Sequence, residues 1–124
     1  MDNNLPTLST ARLVLSLPTI SDLEDIIFHA NSTSEIAENT ITFPYPYEEK
    51  HAHFWLKMAE EGFAKKDAYI FAIREKENLK LIGAIGLHVD LANQKAEIGY
   101  WLGKSFWNKG YVSEALQRIL QFGF

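Results

Sequence analysis

Residues 95–115 read KAEIGYWLGKSFWNKGYVSEA. This segment changes from the periodicity of a β-strand to that of an α-helix. Up to residue 102 the side chains alternate between two sets, as the two faces of a β-strand require. One set is Ala96, Ile98, Tyr100 and Leu102, and the other is Glu97, Gly99 and Trp101. Beyond residue 110, apolar residues recur at helical spacing, at Val112, Ala115, Leu116, Ile119 and Leu120. The stretch therefore predicts a strand over 95–102, a short loop, and a helix from about residue 110.

The start of that helix is suited to an anion. A first helical turn exposes unpaired backbone N–H groups and the positive end of the dipole, and phosphate is a natural ligand there. Gly110 lets a ligand approach the backbone, and Ser113 adds a hydroxyl. Lys104 and Lys109 add positive charge to an otherwise acidic chain. A glycine before a helix is also ordinary turn chemistry, and neither of the common glycine-rich nucleotide motifs is present. Spacing alone leaves both interpretations open, a pyrophosphate cradle and a simple turn.

The remaining segments place this stretch in an α+β fold. Strands are predicted over 11–17, 68–74 and 79–89, helices over 20–30 and 48–65, a loop over 31–47, and a loose lead-in over 1–10. Ser21 with Glu24 competes with Thr19 and Asp22 for the start of the first helix. In 79–89, alternation puts Leu81 on the face of Gly83, Ile85, Leu87 and Val89. Short connections between the last three strands indicate an antiparallel sheet with helices packed on it.

Composition narrows the classes of protein. The 124 residues fit one domain, and 47% of them are apolar. No cysteine is present, which excludes disulfides, thiolate metal sites and cysteine nucleophiles. The net charge of −4 argues against nucleic-acid binding and suits a cationic partner such as an amine. No apolar run approaches a membrane span and no secretory leader is recognisable, so we expect a cytoplasmic protein. His51 and His53, two apart on a helix, point away from each other and form no metal pair.

Two runs, 96–102 and 107–115, closely resemble the A motif of the GNAT N-acetyltransferases. The runs 10–15 and 81–87 are similar to the branch of that family that acetylates ribosomal-protein N-termini, the RimJ/RimL type. The broad family signature is Q/R-x-x-G-x-G/A. Trp107 stands in its first position and Val112 in its last, so the match to the broad form is partial. The resemblance spans nearly the whole chain.

The resemblance implies a cosubstrate and a site. In the family, acetyl-CoA gives its acetyl group directly to an amine, and the oxyanion of the thioester is met by N–H donors at positions resembling Trp101 and Leu102. The positions that resemble the pyrophosphate site are Trp107, Asn108, Lys109, Gly110, Tyr111, Val112 and Ser113. Glu97 is the candidate base, with a solvated strand glutamate as the alternative. His88 is a second candidate beside it, or a surface histidine at a strand end.

The resemblance also implies a fold that continues beyond Phe124, with a strand beside 95–102 and the acid that protonates the leaving thiolate. We therefore expect residues 1–124 to be the N-terminal and central part of one GNAT domain. The predicted activity is acetyl transfer to a primary amine, favouring a protein N-terminal α-amine over a small amine. The alternative is an incomplete fragment that binds coenzyme A or self-associates. An open edge at 95–102 predicts a homodimer or a larger assembly.

Overall fold

The computed structural model describes residues 5–33, 35, 44–90 and 92–123. Five strands of these residues form one antiparallel sheet in the order β1-β2-β3-β4-β5. The strands are β1 (Leu8–Ser9), β2 (Leu13–Ser16), β3 (Ala68–Glu75), β4 (Leu81–Asp90) and β5 (Lys95–Leu102). The helices are α1 (Leu23–Ala30), α2 (Glu49–Lys65) and α3 (Tyr111–Gly123), and short 3-10 turns cover Ile20–Asp22 and Lys104–Phe106. The predicted α+β class, element order and antiparallel sheet are confirmed. The predicted loop over 31–47 lies largely outside the described residues.

The first ten residues are not merely a loose lead-in. Leu8 and Ser9 pair with Leu15 and Val14 of the next strand, so a short β1 edges the sheet. Leu5 and Leu8 are buried in the main core, which supplies the apolar contact that anchors the segment. The prediction was wrong here because a two-residue strand is too short to show alternation.

Helices cover both faces of the sheet. On one face, α3 packs against strand side chains from β2, β3, β4 and β5; this cluster includes Leu13, Leu15, Phe71, Ile73, Ile85, Leu102, Ala115 and Ile119. On the other face, α1 and α2 pack over a second cluster, which includes Ile26, Ala30, Ala52, Ala72 and Leu81. The predicted division of β5 is confirmed, since Leu102 lies in the first cluster and Trp101 packs against the second.

The predicted alternation of β4 fails at one residue. Ile73 pairs with Gly83 but Arg74 pairs with Leu81, so Ile82 is one extra residue in the strand, a β-bulge. The bulge puts Leu81 beside Ala72 on the α1 and α2 face instead of beside Ile85. Period-two reasoning cannot see an inserted residue when every side chain of the segment is apolar.

The start of α1 is fixed by Thr19 and Asp22, the second of the two competing starts. The Thr19 N–H donates to the Asp22 carboxylate at 2.8 Å. The same buried carboxylate receives two hydrogen bonds from Arg74, at 2.6 and 2.8 Å, and Arg74 also donates to the Ser16 hydroxyl and the Leu17 carbonyl. This ion pair ties the start of α1 to β2 and β3. No helix of the described residues is long and apolar enough to cross a membrane.

Candidate functional site

The segment between β5 and α3 folds back on the end of β5. The Trp107 indole N–H donates to the Leu102 carbonyl at 2.8 Å. Asn108 and Gly110 have positive φ angles of 64° and 77°, which turn the chain into α3. Asparagine and glycine are the residues that tolerate this left-handed backbone best. A Cβ at Gly110 would stand 3.4 Å from the Arg12 guanidinium, so the positive φ angle, more than lack of space, favours glycine here.

Arg12 and Glu114 hold the loop against the N-terminal strands. The Arg12 side chain binds Glu114 at 2.7 Å and donates to the Lys109 carbonyl at 2.8 Å, and its backbone N–H reaches the same carboxylate at 2.9 Å. The Thr10 hydroxyl is a further donor to Glu114. The guanidinium also lies over the Tyr111 ring, 4.5 Å from its centroid. Burial alone would raise the pKa of Glu114, but the hydrogen bonds from Thr10 and Arg12 together with the Arg12 charge hold that pKa below its usual value.

A second set of contacts holds the start of the loop from the end of α1. The backbone N–H of Lys104 donates to the Ser32 hydroxyl at 2.9 Å, and the Lys104 ammonium binds Glu35 at 2.7 Å. The hydrogen bond and charge of Lys104 lower the pKa of Glu35. Of the two lysines that we assigned to the anion cradle, Lys104 is therefore engaged by a carboxylate. Local sequence carries no signal for this pairing, because Glu35 lies 69 residues earlier in the chain.

These contacts frame a cavity of about 770 Å³ at the start of α3. Its lining residues are Glu35, Gly99, Tyr100, Trp101, Leu102, Phe106, Trp107, Asn108, Gly110, Tyr111, Val112 and Ser113. All of the residues predicted to bind the cofactor are brought together here except Lys109. The Lys109 ammonium instead lies 5.7 Å from the centroid of the Phe106 ring. The first-turn N–H groups of α3 have no acceptor within the helix, and Glu114 is the first residue of α3 whose N–H binds back, to Gly110.

A smaller cavity of about 140 Å³ adjoins this one across β5, on the side of α1 and α2. Gly99, Tyr100 and Trp101 line both cavities. The floor of the smaller one includes Gly86 and its partner in the sheet, Gly99, and the Trp55 and Trp101 rings meet edge to face beside it at 6.4 Å. A pair of glycines at this point leaves a trough between aromatic walls.

Glu97 and His88 lie opposite each other at the outer end of the β4–β5 hairpin. Both are exposed. His88 lines the smaller cavity, whereas Glu97 lines neither. The catalytic role of Glu97 therefore stays a prediction. Among the described residues, no group of three histidine, aspartate or glutamate side chains is placed to hold a metal ion.

The fold is that of an acetyltransferase domain, as comparisons with known proteins show. Residues 12–124 match the family described as an acetyltransferase (GNAT) domain. The chain is 32% identical over 121 residues to the uncharacterized N-acetyltransferase p20 of Bacillus licheniformis, covering 97% of this chain and 67% of that protein. The chain belongs to the GNAT family, which confirms the predicted family.

Two solved structures share the fold. One is RimL, a ribosomal L7/L12 alpha-N-protein acetyltransferase in complex with coenzyme A, with a TM-score of 0.81 and 18% identity over 94% of this chain and 67% of that one. The other is the Microcin C7 self immunity acetyltransferase MccE in complex with acetyl-CoA and AMP. Its TM-score is 0.75 and its identity is 23%, and the match covers 98% of this chain and 69% of that one. The chain thus spans about two thirds of the length of the relatives it matches.

Proposed function

We propose that this chain binds acetyl-CoA with the pyrophosphate over the start of α3 and that the acetyl group passes to a primary amine. The observation that carries the proposal is the cavity at the first turn of α3, where Gly110, Tyr111, Val112 and Ser113 present helix-start backbone to one open space. Family membership supports the cosubstrate, as do the relatives solved with coenzyme A and acetyl-CoA. Anions are stabilised at such a helix start by the free N–H groups and by the dipole.

We place the thioester at the edge of β5 that faces away from β4. Among the described residues β5 is the last strand in the sheet order, so alternate N–H groups of β5 point away from β4. The Gly103 N–H donates to the Ile82 carbonyl on the β4 side, so by alternation the Leu102 N–H points to the open edge. Of the two predicted oxyanion donors, the Leu102 N–H therefore has the direction that the proposal requires. Trp101 contributes its side chain to the lining of the cavity.

The acceptor amine must lose a proton before it attacks the thioester. Glu97 is four residues from Trp101, about 13 Å along the strand at a rise of about 3.3 Å per residue. A carboxylate there lies beyond direct hydrogen-bond reach of an amine near Trp101, so a role for Glu97 requires the amine to bind nearer the start of β5. His88 leans toward the trough, since its Nε2 lies 3.5 Å from the position of a Cβ on Gly86. We keep Glu97 as the proposed base, with His88 as the alternative.

The acceptor class follows from the relatives. RimL is an alpha-N-protein acetyltransferase, so we propose a protein N-terminal α-amine, with a small amine as the second option. The test is release of free thiol from acetyl-CoA in the presence of peptides with a free N-terminus, the same peptides with a blocked N-terminus, and a polyamine. Activity with the free peptides alone supports the proposal, and activity with the polyamine alone contradicts the acceptor class.

Binding of the cosubstrate is tested separately with Ser113→Asp. Ser113 is exposed in the first turn of α3, where a carboxylate favours the helix dipole and repels a pyrophosphate. We expect unchanged or higher thermal stability and about 10-fold to 100-fold weaker coenzyme A binding by titration calorimetry. Gln117→Glu adds the same charge one turn later and serves as the control. Equal affinities for the two variants would contradict the placement of the pyrophosphate.

A second candidate function is association through the same edge. Most residues of β5 are exposed, and one of them, Tyr100, is 58% exposed. Unpaired strand edges pair with other chains. We propose that this 124-residue chain forms a dimer through β5 and then has little transferase activity of its own. Light scattering at micromolar concentration tests it, and a monomer that consumes acetyl-CoA contradicts it. A cytoplasmic location and the absence of nucleic-acid binding stay predictions.

A further inference from the structure

His29, near the end of α1, has a buried ring nitrogen that the contacts of the described residues leave unexplained. His29 is 8% exposed, and its Nδ1 atom is buried without a hydrogen-bond partner among the described residues. A buried polar atom left in this way costs free energy, so natural proteins rarely retain one without a reason. Neither the proposed chemistry nor the core explains this one.

The His29 ring is wedged against the loop that leaves β5. A Cβ on Gly103 would stand 2.4 Å from Nδ1, so the ring lies directly on the Gly103 backbone. The Phe106 ring meets the imidazole edge to face at 5.5 Å, and the Phe28 ring does the same from α1 at 5.1 Å. Only a residue without a side chain fits between the imidazole and the sheet. The ring therefore fixes where the loop begins.

The supported segment is also a wall of the cofactor cavity. Phe106 lines that cavity, and so does Leu102, which precedes Gly103. The two neighbouring contacts from the same side, Ser32 with Lys104 and Glu35 with Lys104, hold the same turn. A shift of the His29 ring would thus move the wall against which coenzyme A is proposed to lie.

The packing of the His29 ring against the Gly103 backbone depends on the charge of the imidazole. Burial lowers the pKa of His29, and the carboxylates of Asp25 on α1 and Glu75 at the end of β3 partly oppose that effect. The one cation on the turn packed against the ring, Lys104, is engaged by Glu35. A protonated ring would need an acceptor at Nδ1, and none of the described residues supplies one. The neutral ring fits the packed loop, and the imidazolium requires the loop to move.

We propose that His29 is a positioning residue for the cofactor cavity, and that its protonation loosens the turn at Gly103–Phe106 and weakens coenzyme A binding as the pH falls below neutrality. This rests on the proposed function, because it presumes that coenzyme A occupies the cavity. The role is indirect, since His29 does not line the cavity itself.

The first test is calorimetric titration of coenzyme A between pH 7.5 and 5.5 with the wild type, His29→Asn and the exposed-histidine control His53→Asn. Asparagine keeps a polar atom near the Nδ1 position and does not titrate. We expect the wild type and the control to lose about twofold to fivefold more affinity than His29→Asn over this range, because burial keeps the pKa of His29 below its usual value. Protonation of the ligand's own phosphate is common to all three proteins and cancels in the comparison. Parallel profiles overturn the inference and leave the proposed function intact, whereas no binding at any pH contradicts both.

The second test needs no variant. NMR titration of labelled histidines in the wild type gives the pKa of His29 with and without coenzyme A. Linkage requires that a ligand weakened by protonation should in turn lower that pKa. Plain attraction between the anionic ligand and an imidazolium would raise the pKa instead. A lowered pKa supports the positioning role, and a raised or unchanged one overturns it.

Discussion

The two ends of β5 are held in opposite ways. At its C-terminal end, the loop into α3 is fixed by Arg12 and Glu114 from one side and by the end of α1 from the other. At its N-terminal end, Glu97 and His88 stand exposed, and no hydrogen bond or ion pair joins their side chains to the rest of the described chain. The region proposed for the cosubstrate is thus held by long-range contacts, and the region proposed for the acceptor is not. Four predictions test that contrast.

The largest effect is expected at the open end. If Glu97 removes the amine proton, Glu97→Gln lowers turnover at neutral pH by about 10²-fold to 10⁴-fold and leaves coenzyme A affinity unchanged. The loss should shrink at high pH, where the amine deprotonates unaided. Steady-state rates across pH measure this in a form of the protein that turns over. Glu77→Gln, at an exposed turn, is the control. A near-normal rate for Glu97→Gln would show that Glu97 is a solvated strand residue. The same substitution test would then apply to His88, the alternative base.

The next effect lies in the fixed loop. Gly110→Val forces a β-branched residue into a backbone with φ 77°, at a cost of about 1–2 kcal/mol, and should weaken coenzyme A binding about tenfold. Gly110→Asn tolerates that backbone and should recover most of both losses. Thermal unfolding and calorimetry measure the two quantities. If both variants lose affinity equally while keeping stability, the glycine serves ligand approach and not the turn.

Glu114 makes the fixed end sensitive to acid. Its pKa is lowered in the folded protein, so its contribution to stability is full above its unfolded pKa of about 4.5 and is lost as the pH falls through the folded value. Glu114→Gln should lower the free energy of unfolding at pH 7 by about 1–3 kcal/mol and flatten its decline below pH 5. Denaturant unfolding at a series of pH values measures this. A variant curve parallel to that of the wild type would contradict the contact.

The smallest effect separates two lysines of the loop. Lys104 is engaged by Glu35, whereas Lys109 forms no ion pair among the described residues. Lys109→Met should therefore weaken coenzyme A binding about threefold at low salt, and less at high salt, through lost long-range attraction. Lys104→Met should change it less, because Glu35 already offsets that charge. A larger loss of affinity for Lys104→Met than for Lys109→Met would mean that Lys104 exchanges Glu35 for the ligand.

Sequence alone predicted the parts of the site that lie close together in the chain. The strand into Leu102, the turn at Gly110 and the helix start at Ser113 follow one another, so periodicity and the family resemblance both found them. The partners of that segment come from far away in sequence, and only folding brings Arg12, His29 and Glu35 to it. The bulge at Ile82 was not predicted for a different reason. An inserted residue among apolar neighbours does not change the alternation of polar and apolar side chains.

The bond between Arg12 and Glu114 has a consequence for the order of folding. The two residues are 102 positions apart, whereas β3, β4 and β5 are joined by short turns. Hairpins between neighbouring strands form quickly. Contacts between distant residues form more slowly, because closing a longer loop costs more conformational entropy. The central meander can therefore pair before the distant contact between Arg12 and Glu114 fixes the loop. A ligand at the proposed site would then stabilise those chains in which the contact between Arg12 and Glu114 has already formed.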